Sequence, residues 1–164
     1  MTTRAAALAM FVLAGCGGAS PVRNVYIDPA FTAVQATAAR AGVQMWRDTS
    51  PDVLILNETT SESASDVRIY SESHCPHEMI NGGSGNPDLA DELHGVICVR
   101  ADPYLEQTGY ATDALRAKVV GHEMGHALGL PHMPEPSIMA AELDHQESMW
   151  PMPNDVMAIR NLYK

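Results

Sequence analysis

The stretch VVGHEMGHALGLPH, from Val119 to His132, sets His122 and His126 four residues apart and His132 six further on, with Glu123 beside the first and Gly129 before the last. On a helix of 3.6 residues per turn, side chains four apart share a face, so these two imidazoles can hold one metal ion. Glu123 projects about 100° around from His122, which suits a carboxylate to a metal-bound water better than to the metal itself. Gly129 can end the helix in a left-handed turn, with Pro131 just beyond, so that His132 returns toward the same point. Three neutral imidazoles leave one coordination position open, the arrangement of a catalytic zinc ion. The chemistry implied is hydrolysis. Zinc lowers the pKa of its water to about 7, Glu123 takes that proton, and the water attacks a polarised carbonyl.

The elements that must position these groups are readable around them. The histidine helix is expected over about 112–128, capped near Thr112-Asp113 and carrying Leu115, Val119 and Val120. Upstream, Val25-Tyr26-Ile27 reads as a short strand. Asp28-Pro29 reads as a cap followed by a proline at the first helical position. Phe31, Val34, Ala38, Ala41, Met45 and Trp46 then recur at helical spacing and predict an amphipathic helix over 29–48. DVLILNET at 52–59 has the continuous apolar centre of a buried strand, and DVRIYSE at 66–72 alternates. Residues 74–91, rich in Gly, Asn, Pro and Ser, are expected to be irregular, with a further strand over 94–102. NDVMAIRNLY at 154–163 predicts a short closing helix. Strands grouped with two long helices suggest a mixed layer structure.

HEMGHALGLPH matches the HExxHxxGxxH pattern of the metzincin metallopeptidases. Ser137-Ile138-Met139 resembles their Met-turn, expected over about 137–140. ALRAKVVGHEMGHALGLPH, then PSIM, then NDVMAIRNLY resemble the matrixin branch, over about 112–163. The resemblance implies an α+β, zincin-like fold: a twisted mixed sheet with two long helices, plus a small C-terminal subdomain ending in a helix. It also implies a zinc endopeptidase acting on peptide or protein substrates, expected to be a monomer. In it, Met139 is an apolar floor beneath the zinc without ligating it. The specificity pocket is lined by the helix around Val119 and by residues after Met139. Met149, Trp150 and Met152 either line that pocket or pack the small subdomain.

The chain also departs from its relatives. Ala141 stands where astacin-like and serralysin-like proteins carry a tyrosine, so oxyanion stabilisation falls to the zinc and the cleft. The propeptide cysteine of matrixins is missing. His74, His77 and His94 do not reproduce the spacing of the matrixin structural zinc site. A second metal through them, with Asp88 or Asp91, stands beside the reading that they are surface imidazoles. His145 has no partner pattern.

The first twenty residues are not read as fold. Arg4 precedes an apolar run from Ala5 to Leu13 that is too short to span a bilayer. Leu13-Ala14-Gly15-Cys16 resembles the lipobox of bacterial lipoproteins. That implies a signal peptide over 1–15, cleavage before Cys16 and lipidation of Cys16. Residues 16–24 become a tether and residues 25–164 the catalytic domain. The protein is then exported and lipid-anchored, at the periplasmic face or cell surface of a bacterial membrane. An ordinary secretory signal with a chance cysteine is the alternative. Cys75 and Cys98 remain as an even pair in an oxidising compartment, expected to form a disulfide, with two free buried thiols as the other reading.

The chain of 164 residues, 46% of them apolar, is enough for one domain with a proper core. A net charge of −10 without any basic run excludes nucleic acid as a partner. The expected function is a lipid-anchored zinc endopeptidase. A catalytically silent peptide-binding surface lipoprotein on the same scaffold and a metal-free structural lipoprotein are its rivals. Zinc stoichiometry separates the last from the other two.

Overall fold

Val25, Val67, Ile69 and Ile97 are each no more than 2% exposed, and they sit on neighbouring strands of one sheet. In the computed structural model, which describes residues 20–76, 90–93, 95–99, 113–141 and 148–163, the strands are β1 (Val22–Ile27), β2 (Ile55–Thr59), β3 (Val67–Ser71), β4 (Ala90–Leu93) and β5 (Val96–Val99). Their order is β2-β1-β3-β5-β4, with β4 antiparallel to β5 and every other pairing parallel. Parallel neighbours need crossover connections, and helix α1 (Ala33–Thr49) supplies the one from β1 to β2. Helix α2 (Asp113–Ala127) follows the sheet, and α3 (Pro153–Leu162) closes the chain. Short 3₁₀ turns at Glu62–Ala64 and Glu72–His74 flank β3.

The two long helices cross at very close range. A Cβ on Gly42 of α1 would stand 2.8 Å from the Ala117 carbonyl and 2.8 Å from the Gly121 amide of α2. Beside that contact the Trp46 indole, fully buried, donates to the Gly121 carbonyl at 2.7 Å. One apolar cluster joins Val25, Ile69 and Ile97 of the sheet to Val43, Trp46, Val119, Val120 and Met124 of the helices and Ile159 of α3. Among the described residues, no helix is long and apolar enough to cross a membrane.

Several boundaries differ from the sequence expectations, each for a local reason. Helix α1 begins after Thr32, not at Asp28-Pro29. Thr32 and Gln35 form a reciprocal capping box, each side chain meeting the other's backbone. Asp28 instead ties β1 to β3, because its buried carboxylate accepts the Ala30 amide, the Ser71 amide and hydroxyl, and His74 Nδ1. Strand β1 starts at Val22, inside the expected tether of 16–24, because Pro21 already accepts the Ile55 amide at 3.0 Å. Strand β2 starts at Ile55 and not at 52, since Val53 and Leu54 donate back to Ser50 in the turn that ends α1. Strand β4 begins at Ala90, inside the end of 74–91, the segment expected to be irregular. It is held by antiparallel pairing with β5, and Gly95, at φ +80°, makes the link. The expected strand over 94–102 is observed over Val96–Val99. The segment 1–15 expected to be a signal peptide, Cys16, Thr112 and His145 lie outside the described residues.

Candidate metal centre

His122 and His126 sit one turn apart on α2, as their spacing predicts. The helix then closes: the Leu128, Gly129 and Leu130 amides donate to the Met124, His126 and Gly125 carbonyls at 2.8–2.9 Å. Gly129 takes φ +96°, a left-handed value that favours glycine, and the chain reverses. That reversal brings His132 back. The three imidazoles then offer one nitrogen each, all within 4.8 Å of one another. Among the described residues this is the one such group of three or more potential ligands.

Two hydrogen bonds orient the rings. His122 Nδ1 donates to the Ile138 carbonyl at 2.7 Å, and His126 Nδ1 donates to the Leu130 carbonyl at 2.8 Å. A carbonyl can only accept, so each Nδ1 carries the proton and each Nε2 presents a lone pair. Those two Nε2 atoms stand 3.1 Å apart. Facing lone pairs at that separation repel unless a cation lies between them. Tetrahedral zinc, with Zn–N bonds of 2.0–2.1 Å, spaces its ligand nitrogens by about 3.3 Å. The donor set fits zinc. Burial pushes the His122 imidazole down to about 4, against the opposing pull of the Ile138 carbonyl, and so keeps it in the neutral, ligating form. Burial and then the neighbouring His126 also lower His132, although its side chain is exposed. Glu123, only 7% exposed, follows His122 on the same helix.

Met139 is fully buried. It packs where a Cβ on Gly125 would overlap its Sδ and come 2.9 Å from Trp46 Cζ2. The glycine of HEMGH is therefore the slot into which the methionine fits. The loop between His132 and Met139 contains the cis peptide Glu135–Pro136 and is closed by the Met133 amide donating to the Met139 carbonyl at 2.9 Å.

Asp155, the third residue of α3, was not singled out by sequence, yet it organises this loop. Its fully buried carboxylate accepts the Ser137 hydroxyl, the Ile138 amide at 3.2 Å and the Met152 amide at 2.7 Å. The peptide units on either side of Ile138 thus link α3 to His122: the amide bonds Asp155 and the carbonyl bonds the imidazole. The signal in sequence was an ordinary one, an acidic residue in the first turn after a proline at the helix start.

The other expected residues are placed as follows. Cys75 and Cys98 are bonded, with Cα atoms 5.6 Å apart, which selects the disulfide over two free thiols. His74 turns its Nδ1 to Asp28 at 2.9 Å, with a side chain 55% exposed, away from the three-histidine group. His77, His94, Asp88 and the side chain of Asp91 lie outside the described residues. Met149 and Met152 are half-buried, Trp150 is exposed, and so is Ala141.

The family model of the matrixins matches residues 31–164. Among solved structures, one titled "Structure of myroilysin" is similar, with a TM-score of 0.44 and 15% identity, over 68% of this chain and 49% of its own. The chain spans about half the length of that protein. No curated protein matches it.

Proposed function

The chain belongs to the matrixin family, and from that premise we propose that it is a zinc-dependent endopeptidase held at a bacterial membrane by lipid on Cys16. The observation that carries the enzymatic part is the pair of Nδ1–carbonyl bonds. They fix His122 and His126 in the tautomer that directs both Nε2 lone pairs, with His132, at one point. His122, His126 and His132 would hold the metal. A bound zinc ion supplies Lewis acidity and lowers the pKa of water to about 7.

The chain's own residues do the rest. Glu123 takes the proton of the attacking water and returns it to the departing amine, and its burial keeps competing solvent from the carboxylate. Met139 and Trp46 keep α2 seated on the loop below it, so the two helical imidazoles and the glutamate hold a fixed relation. Strand β4 packs near α2 and, among the described residues, has no partner on its outer edge. An extended peptide adding to that edge would pair its backbone with β4. The apolar run ending in Leu13-Ala14-Gly15-Cys16 supports export and lipidation.

The test is Glu123→Ala. Zinc content should stay near one per chain, because the residue moves a proton and does not ligate. Hydrolysis of a peptide library should fall by about 10²–10⁴-fold or more. Full activity in Glu123→Ala, or a wild type that binds zinc stoichiometrically and cleaves nothing, would overturn the reading.

A further inference from the structure

The start of the described chain limits how far a lipid anchor can hold the domain from its membrane. The Ser20 hydroxyl donates to the Asp52 carbonyl at 3.0 Å, and the Pro21 carbonyl accepts the Ile55 amide at 3.0 Å, so the chain is fastened from Ser20 onward. Only Gly17, Gly18 and Ala19 separate Cys16 from Ser20. Four virtual bonds at 3.3–3.6 Å each reach about 14 Å at full extension. The headgroup layer takes about 6 Å of that. A domain tied so closely must rest the end around Ser20 against the lipid.

That end presents apolar side chains to solvent. Val22 is 49% exposed and Ile55 42%, and the two are cross-strand partners at the start of β1 and β2. Strand alternation turns them to the face opposite Val25 and Leu56, which are buried under the helices. Met157, 60% exposed, stands one turn before Arg160 on α3, and Arg160 holds Asp52 at 2.9 Å. Arg160 is paired with Asp52 and Arg23 with Asp66, which lowers the cost of bringing these charges to an interface. Val34 is equally exposed, at 51%, but it lies at the other end of the domain, since β1 runs from Val22 to Ile27 before α1 turns back.

We propose that Val22, Ile55 and Met157 form a docking face for the surface of a phospholipid bilayer, seated at the boundary of headgroups and acyl chains. The inference rests on the lipidation of Cys16 proposed above and goes beyond it by fixing the orientation of the domain. With a chain charge of −10, attraction to anionic lipid does not hold this face down. The short tether and the apolar contact do.

The experiment uses the full chain, processed in a bacterium and reconstituted into phosphatidylethanolamine–phosphatidylglycerol vesicles. Val22→Cys, Ile55→Cys, Met157→Cys and Val34→Cys each carry a polarity-sensitive thiol label, and all four positions are at least 42% exposed, so the fold tolerates them. With Cys16 acylated and Cys75 bonded to Cys98, the introduced cysteine is the reactive thiol. Labels at 22, 55 and 157 should shift to the blue and lose emission to lipids brominated in the acyl chains. The label at 34 should do neither. Mass spectrometry of the same samples reads the state of Cys16. An acylated Cys16 with no label quenched, or with all four quenched alike, overturns the docking face and leaves the anchor standing. Blue shifts without quenching in a protein that sediments as a dimer make the face a contact between two copies and overturn it as well. An unmodified Cys16 overturns the anchor, and the face with it.

Discussion

His122 is held from two sides, and both matter to what its Nε2 can do. From the metal side it needs a free lone pair. From the other side the Ile138 carbonyl fixes its proton on Nδ1, and Ile138 is itself held through its amide by Asp155. Asp155 is thus a positioning residue that acts on the imidazole through one residue of backbone. Asp155→Ala would leave the Ile138 amide, the Met152 amide and the Ser137 hydroxyl without their buried acceptor, costing about 2–4 kcal/mol of stability. Zinc affinity should drop with it, because the His122 ring loses its support. Asp155→Asn keeps one carbonyl oxygen and should recover part of both. Thermal melts and zinc titrations check this, and wild-type affinity in Asp155→Ala would sever the link. At this scale the sequence disclosed the three-histidine cluster, since HEMGHALGLPH carries its members at helical spacing and a turn. It concealed Asp155 because a first-turn carboxylate has the same appearance whether it caps its own helix or also grips a distant loop.

Helix α2 can carry the site only because it lies almost in contact with α1, and glycines make that approach. A Cβ on Gly42 meets α2 backbone at 2.8 Å, whereas a Cβ on Gly121 meets Met45 Sδ at 2.9 Å and Ile138 Cδ1 at 3.1 Å, both on side chains that can swing. Gly42→Ala should therefore destabilise the protein by about 1–3 kcal/mol or more, despite the better helix propensity of alanine. Gly121→Ala should cost less, and denaturant melts of the two variants give the comparison. A reversed ranking would mean that the helices can part more readily than the side chains can repack. The apolar pattern revealed both long helices and four of the five described strands, because each carries apolar residues of its own. It said nothing of Gly42, because a helix–helix approach is a property of two elements. The same reason hid β4: ADEL has no strand pattern, and only its pairing with β5 makes it one. The start of α1 was misplaced because Asp28-Pro29 looks like a cap, while Thr32 with Gln35 makes the better one and leaves Asp28 to join β1 to β3.

For the whole molecule, two buried groups have been moved in directions that make acid destabilising in two separate windows. Burial lowers the His122 imidazole from 6.5 to about 4. An unfolded chain gains that proton near pH 6.5, while the folded, metal-free chain refuses it until about pH 4, so stability falls across this window and then levels. Asp28 behaves differently. Burial alone would raise its carboxyl, but bonds from Ala30, Ser71 and His74 outweigh burial and hold it below 3.8. Its contribution is fully present above that value and is lost only as the pH falls through the lowered one. Melting temperatures of the chelated protein should therefore decline from pH 6.5 to about 4, and His122→Asn should flatten this limb while leaving any loss at lower pH unchanged. Added zinc should raise the melting temperature near neutrality by mass action, by about 4 kcal/mol of stability at a thousandfold excess over its dissociation constant. That increment should shrink as the pH drops, because protons compete for the imidazoles that bind the ion. A metal-free wild type whose melting temperature stays level from pH 6.5 to 4 would show that His122 is not held neutral by its burial, and the orientation argued for its Nε2 would lose its electrostatic support.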